Sequence, residues 1–140
     1  MDIKQLFKDY LKNKNKIKLL QQEIECIKND DGLHGIKLYE KTSSTNKVND
    51  SLGNLLEYKE KKITELEREI KLIQRDIDRV DLFLSFLDEN KAKILKYKFM
   101  TTPQLTYVAI AHRLGYSDSG VRMVVTRAFK DLDNLINKQL

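Results

Sequence analysis

A heptad repeat of apolar residues in the middle of the chain constrains its fold more than any other feature. From Ile63 to Leu87, apolar side chains recur at alternating steps of three and four residues. This spacing averages 3.5 residues and places the apolar side chains on one stripe of a helix, which needs a partner surface. The predicted helix, from 52 to about 89, would be roughly 57 Å long at 1.5 Å per residue.

Residues 1–28 carry a weaker repeat of the same kind and predict a shorter amphipathic helix. Residues 29–51 hold two glycines and a TSSTN cluster, which indicate a flexible linker. A linker of this length could return the chain as an antiparallel hairpin, allow a parallel pairing, or free the first helix for another subunit.

The long helix can therefore pair within the chain or between chains. For pairing between chains, as a homodimer or higher oligomer, the contacting residues would be Ile63, Leu66, Ile70, Ile73, Ile77, Val80 and Leu84. A parallel dimer would set Asp76 against Asp81, which repel, so a parallel zipper over the full length is disfavoured.

Composition agrees with an all-α fold. Charged residues make up 34% of the 140 residues, whereas there are only 5 glycines and 1 proline, as is typical of long helices. The single cysteine, Cys26, excludes an intrachain disulfide, and no apolar run is long enough to span a bilayer. With no signal peptide in view, we expect a cytoplasmic protein with no membrane partner.

After residue 90 the heptads give way to three short amphipathic segments. The first covers 88–100, and Pro103 is expected to start the second, 104–114. Gly115 suits a tight turn, and Ser117 is a good N-cap for a third helix, 118–136. The predicted architecture is long coiled-coil-type helices (52–90 for oligomerisation) followed by a three-helix helix-turn-helix domain at 91–140.

Helical periodicity divides the last two segments into an inner and an outer face. Small and aliphatic side chains, with one tyrosine, are expected in a shared core: Ile110, Ala111, Leu114, Tyr116, Val121, Val124, Val125, Ala128 and Leu132. The outer face then presents Ser119, Arg122, Met123, Thr126, Arg127 and Lys130. Arginines can read guanine in the major groove, and hydroxyls can meet base edges or phosphates.

Positive charge is concentrated in the same region. The chain carries a net charge of +5, with −3 in residues 52–90 and +6 in residues 91–140. Three of the six arginines, Arg113, Arg122 and Arg127, lie in the last segment. Together with Thr106 at the start of the second segment, Arg113 extends the predicted set of DNA contacts.

The segments ILKYKFM and LTYVAIAHRLGYSDSGVRMVVTRAFKDL resemble region 4 of bacterial sigma factors. The whole arrangement is similar to the ArpU/RinA-type phage late transcriptional regulators, closely over 52–136 and in outline over 1–51. The resemblance implies binding of promoter-region double-stranded DNA and activation of transcription, with RNA polymerase as a further candidate partner. Asp118, Ser119 and Gly120 depart from the family's usual residues after the N-cap, so we expect a different target sequence or weaker contact at that end of the helix.

Catalysis is not expected. His34, His112 and Cys26 are the only residues of the usual nucleophile, base or soft-metal type, and none is at ligand spacing from another, so neither a metal nor a cofactor is predicted. The leading hypothesis is a sequence-specific transcriptional regulator of a phage or prophage. The alternatives are a DNA-packaging recognition subunit of the phage small terminase type and a helical scaffolding protein.

Overall fold

The computed structural model describes residues 2–29 and 45–139, with side chains described for 2–29 and 53–137. These residues form helices joined by short turns and contain no β-strand, so the prediction of an all-α fold is confirmed. The predicted linker between 30 and 44 and His34 lie outside the described residues. The elements are α1 (Ile3–Lys8), α2 (Tyr10–Asn29), α3 (Thr45–Ser85), α4 (Glu89–Leu95), a π-helical turn (Lys96–Met100), α5 (Tyr107–Leu114) and α6 (Asp118–Gln139).

The first predicted helix, 1–28, is two helices in the structure. The carboxylate of Asp2 caps α1 by accepting a hydrogen bond from the Gln5 amide. Asp9 separates α1 from α2, and its amide donates to the carbonyl of Gln5.

The long helix α3 starts and ends earlier than predicted. Residues 45–51, which the sequence assigned to the linker, are helical. Of the TSSTN cluster, 42–46, only Thr45 and Asn46 are among the described residues, and both are helical. At the other end α3 stops at Ser85, because Asp88 caps α4 by accepting from the Lys91 amide at 2.8 Å.

The prediction that Pro103 starts a helix is wrong. Helix α5 begins at Tyr107, and the hydroxyl of Thr106 caps it by accepting from the Ala109 amide at 3.1 Å. The segment before it folds back on the π-helical turn, where the Leu105 amide donates to the Tyr97 carbonyl at 3.2 Å. This backbone hydrogen bond replaces the helical bonds that an earlier start would have made.

The chain forms two compact units, and the division does not follow the predicted domains. The first unit contains Met1–Asn15 together with Gln74–Leu140, and the second contains Lys16–Ile73. Residues from near the N-terminal end of the sequence therefore belong to the same unit as α4, α5 and α6. The sequence had placed 1–28 and 91–140 in separate segments.

Three phenylalanines form the centre of the first unit. Phe7 of α1 is fully buried and makes edge-to-face contacts with Phe99, at 6.0 Å between ring centroids, and with Phe129, at 5.3 Å. Phe99 and Phe129 contact each other in the same way at 5.8 Å. Such edge-to-face pairs stabilise a fold by more than their buried area alone would give. This triad therefore holds α1 against the π-helical turn and α6.

In the second unit the apolar stripe of α3 is covered within the chain. Leu66 and Ile73 are buried, as are three residues of α2: Ile17, Leu20 and Ile24. The amino group of Lys16 on α2 lies 3.5 Å from a carboxylate oxygen of Glu69 on α3. Among the predicted oligomerisation residues here, Ile63 and Ile70 are half-buried.

The last heptads of the stripe lie in the first unit and are also buried. Ile77, Val80 and Leu84 are each less than a tenth exposed, and the Tyr10 hydroxyl of α2 donates to Asp81 at 3.4 Å. A single chain therefore buries five of the seven heptad side chains, Leu66 and Ile73 in the second unit included, without a second subunit.

Candidate nucleic-acid interface

Helices α5 and α6 are joined by a three-residue turn whose conformation depends on Gly115. Its φ of 73° lies in the left-handed region that glycine adopts without a steric penalty, and its amide donates to the Ala111 carbonyl. The next amide, that of Tyr116, donates to the same carbonyl at 3.0 Å. The turn thus ends α5 as the sequence predicted.

Ser117 begins α6 as an N-cap. Its hydroxyl oxygen accepts from the Gly120 amide at 3.0 Å, and its carbonyl accepts from the Val121 amide at 3.1 Å. A Cβ at position 120 would lie 2.9 Å from the Ser117 hydroxyl oxygen, closer than real contacts allow. Gly120 therefore gives the cap the space that it needs.

The inner faces of the two helices form the core that the sequence predicted, with one exception. Ile110, Ala111, Val121, Val125, Ala128 and Leu132 are buried, and Leu114 and Val124 are half-buried. Tyr116 was expected in this core but is 42% exposed, because it follows the left-handed Gly115 and no longer belongs to either helix. Phe129 is a core residue that periodicity alone did not single out.

The outer face of α6 presents every residue predicted for it. All six of these side chains are exposed: Ser119, Arg122, Met123, Thr126, Arg127 and Lys130. Met123 is an apolar side chain that is 54% exposed on this face. We call this set the outer face of α6.

The polar groups of the outer face differ in whether they have partners. Arg127 and Lys130 make no hydrogen bond or ion pair with any described residue, so their charges are free for an anionic ligand. The hydroxyl of Thr126 donates to the Arg122 carbonyl at 2.9 Å, and that of Ser119 lies 3.3 Å from the Ser117 hydroxyl. These two hydroxyls can still accept hydrogen bonds through their remaining lone pairs.

Arg122 has two neighbours in contact with its guanidinium group. One is the carboxylate of Asp118, one helical turn earlier, at 3.6 Å, and the other is the ring of Tyr107, whose centroid lies 4.9 Å from Cζ. Asp118 also interacts favourably with the N-terminal end of the α6 dipole. The negative charge that the sequence places at the start of α6 is therefore matched by Arg122.

The two predicted contacts before α6 have different surroundings. Thr106 is exposed, but its hydroxyl is occupied as the N-cap of α5. Arg113 is exposed near the end of α5, and its guanidinium lies 5.8 Å from the centroid of the Tyr97 ring. His112 beside it is also exposed and contacts no described residue through a hydrogen bond.

Sequence reasoning missed Lys98 and Tyr107. The amino group of Lys98, in the π-helical turn, lies 4.3 Å from the centroid of the Tyr107 ring. Tyr107 therefore contacts two cations from two different elements, Lys98 and Arg122. The alternation of basic and aromatic residues in KYKF was the signal available in the sequence, although it does not say which ring each cation reaches.

The described residues contain no cluster suited to a metal ion. No three histidine, cysteine, aspartate or glutamate side chains among them are placed to hold a metal ion. Cys26 is exposed with a free thiol. None of the described helices combines the length and the apolar character needed to cross a membrane.

Comparison with known proteins finds no relative: no protein-family model, no curated protein and no solved structure matches the chain.

Proposed function

We propose that this protein is a sequence-specific transcriptional regulator that binds double-stranded DNA through a sigma region 4-like helix-turn-helix formed by α5 and α6. The observation that carries the proposal is the outer face of α6, where two arginines, a lysine and an exposed methionine lie opposite a fully apolar inner face. The resemblance to ArpU/RinA-type regulators supports activation of phage or prophage late genes as the biological role.

The positions of the basic residues along α6 support two different roles, base reading near its start and phosphate contact farther along. Recognition helices read base edges mainly with residues near their N-terminus. Arg122 lies in the second turn of α6, so it is the base-reading candidate, and Met123 beside it could contact a thymine methyl group. Arg127 and Lys130 lie one to two turns later and are candidates for phosphate contacts.

The connection between α5 and α6 supports the same proposal. A short turn with glycine in the left-handed conformation, followed by a serine N-cap, keeps the start of α6 exposed beside α5. The net charge of +6 in residues 91–140 would attract the phosphate backbone.

We further propose that the protein acts as a homodimer or higher oligomer, with α3, whose heptad stripe its own chain largely buries, as a coiled-coil-type segment that also contacts a second copy. Two-fold symmetric binding to paired half-sites is the usual arrangement for helix-turn-helix regulators. A substitution such as Ile77→Asp would not test the oligomer cleanly. Ile77 and other heptad residues are buried within one chain, so an aspartate at this position would disrupt the fold as well as any contact between chains. Sedimentation of the unmodified protein is the cleaner test, and a monomer at micromolar concentration would overturn the oligomer.

The test of DNA reading starts with selection of bound fragments from random DNA by the purified protein. Arg122→Ala should then remove about 1 to 3 kcal/mol of discrimination at one base pair of the selected motif. Arg127→Ala and Lys130→Ala should each weaken binding to all sequences alike. Each should also make the fall of log affinity with log salt less steep by about one unit. Arg68→Ala, an exposed arginine on α3, is the control with the same loss of charge.

Two results would contradict the proposal. The first is that the protein selects no common motif and binds the selected fragments no more tightly than scrambled fragments at equal salt. The second is an Arg122→Ala variant that discriminates every base pair of the motif as the parent does.

A further inference from the structure

The ring of Tyr107 lies between a cation of the outer face of α6 and a cation outside it. Lys98 Nζ and Arg122 Cζ both lie within 4.9 Å of the ring centroid, although Lys98 belongs to the π-helical turn and Arg122 to α6. Each cation is attracted by the negative face of the aromatic ring. Tyr107 itself is half-buried as the first residue of α5, so the shared ring is fixed to the framework.

The charges around this ring do not cancel. Lys98 and Arg122 are two cations, whereas Asp118, at 3.6 Å from Arg122, is the one carboxylate in ion-pair contact with either of them among the described residues. The excess positive charge favours an anionic ligand. Because Arg122 already has Asp118, Lys98 is the cation whose charge is unmatched.

The ammonium group of Lys98 is also restricted before any ligand arrives. Lys98 is half-buried, in contrast to the exposed Lys96 two residues earlier, which makes no hydrogen bond, ion pair or ring contact with a described residue. A side chain that is already held in place loses less conformational entropy when it binds.

Building on the proposed function, we infer that Lys98 binds a DNA backbone phosphate beside the base pair read by Arg122, and that Tyr107 is the positioning residue that holds both cations. This inference extends the interface from α6 to the π-helical turn. The ligand is a phosphodiester of the duplex, which every sequence supplies, so Lys98 contributes affinity and register rather than sequence preference.

The experiment compares Lys98→Ala with Lys96→Ala, which removes the same charge from the same turn. Binding to the selected duplex and to a scrambled duplex is measured by fluorescence anisotropy between about 50 and 200 mM salt. Lys98→Ala should make the fall of log affinity with log salt less steep by about one unit on both duplexes. Lys96→Ala should leave this slope unchanged. Equal changes in slope for the two variants would overturn the phosphate contact.

Two further variants test the role of the ring. Tyr107→Phe keeps the aromatic face and should bind as the parent does. Tyr107→Leu should lower the slope as Lys98→Ala does, and should also reduce discrimination at the base pair that Arg122 reads. Circular dichroism of each variant establishes that it is folded. If Tyr107→Leu binds DNA with the same affinity, slope and discrimination as the parent, a positioning role for Tyr107 is excluded.

The same data separate this inference from the proposed function. A parent protein that binds every duplex equally contradicts sequence reading by α6, but the slopes of Lys98→Ala and Lys96→Ala still decide the phosphate contact. A parent with no measurable affinity for duplex DNA at low salt overturns both.

Discussion

The Ser117 hydroxyl can cap α6 because residue 120 is a glycine and has no Cβ. Ser117 accepts the Gly120 amide at 3.0 Å, and a Cβ on residue 120 would lie 2.9 Å from the same oxygen. Gly120, which departs from the residues usual in the sigma-like family, therefore leaves room for the hydroxyl that caps the first turn of α6.

This relationship predicts non-additive substitutions. In the parent, Gly120→Ala should change stability little, because a gain in helix propensity of up to about 1 kcal/mol is offset by loss of a cap worth about 0.5 to 2 kcal/mol. In a Ser117→Ala background, where no hydroxyl obstructs the methyl group, the same substitution should stabilise the protein. Urea denaturation of the four variants measures the difference, and an identical effect of Gly120→Ala in both backgrounds would contradict it.

A second prediction concerns the aromatic triad. Phe7→Ala should reduce the free energy of unfolding by about 3 to 5 kcal/mol, because a fully buried ring in contact with Phe99 and Phe129 is replaced by a cavity. Leu19→Ala, which truncates a side chain that is 65% exposed on α2, is the control and should change stability by less than about 0.5 kcal/mol. Similar melting temperatures for the two variants would mean that α1 does not contribute to this core.

The crossing of α5 and α6 gives a third prediction. Ala111 is 5% exposed, so Ala111→Leu should overpack the crossing and cost about 1 to 3 kcal/mol, with a matching loss of DNA affinity. Val108 lies on the same helix but is 64% exposed, and Val108→Leu should have little effect. Thermal unfolding compares the two, and an unchanged melting temperature for Ala111→Leu would place the crossing elsewhere.

The pH dependence of stability gives a fourth prediction, based on Lys91 and Asp131. The amino group of Lys91 donates to Asp131 at 2.6 Å, and this hydrogen bond is the main reason that the pKa of Lys91 is raised above its usual value of 10.5. A raised pKa means that the pair stabilises the fold fully below the unfolded-state pKa, and that this contribution is lost as pH rises through the higher folded-state pKa.

The measurement is the difference in unfolding free energy between the parent and Asp131→Asn from neutral to alkaline pH. The difference should stay constant up to about pH 10 and then shrink. Asp133→Asn, a change on the same helix at a carboxylate with no ion pair to a described residue, should show no such dependence. A constant difference through alkaline pH would exclude the contribution of Lys91.

The sequence predicted those features that depend on local pattern. The heptad spacing of Leu66 and Ile73 predicted a buried stripe, and Gly115 and Ser117 predicted the end of α5 and the start of α6 because their roles depend on backbone conformation and capping alone. The outer face of α6 followed from helical periodicity in the same way.

The remaining features depend on contacts between residues far apart in the sequence. Phe7 lies one helical turn after Ile3, so its spacing indicates a buried side chain, but nothing near it in the sequence indicates a contact with Phe129. The pairing of Lys98 and Arg122 with one ring depends on how three elements pack. Pro103 satisfied the local rule for a helix start, but the bond from Leu105 to Tyr97 decided the backbone there.

The contact between Phe7 and Phe129 also has a consequence for synthesis of the protein on the ribosome. Phe7 is synthesised before Phe99 and Phe129, and both of these partners must leave the exit tunnel before the triad can form. Closing so long a loop is slow compared with forming the individual helices. A nascent chain that stops before Phe99 lacks both aromatic partners of Phe7 and would leave that side chain exposed to chaperones and proteases, whereas a chain that has passed Phe129 can complete the triad.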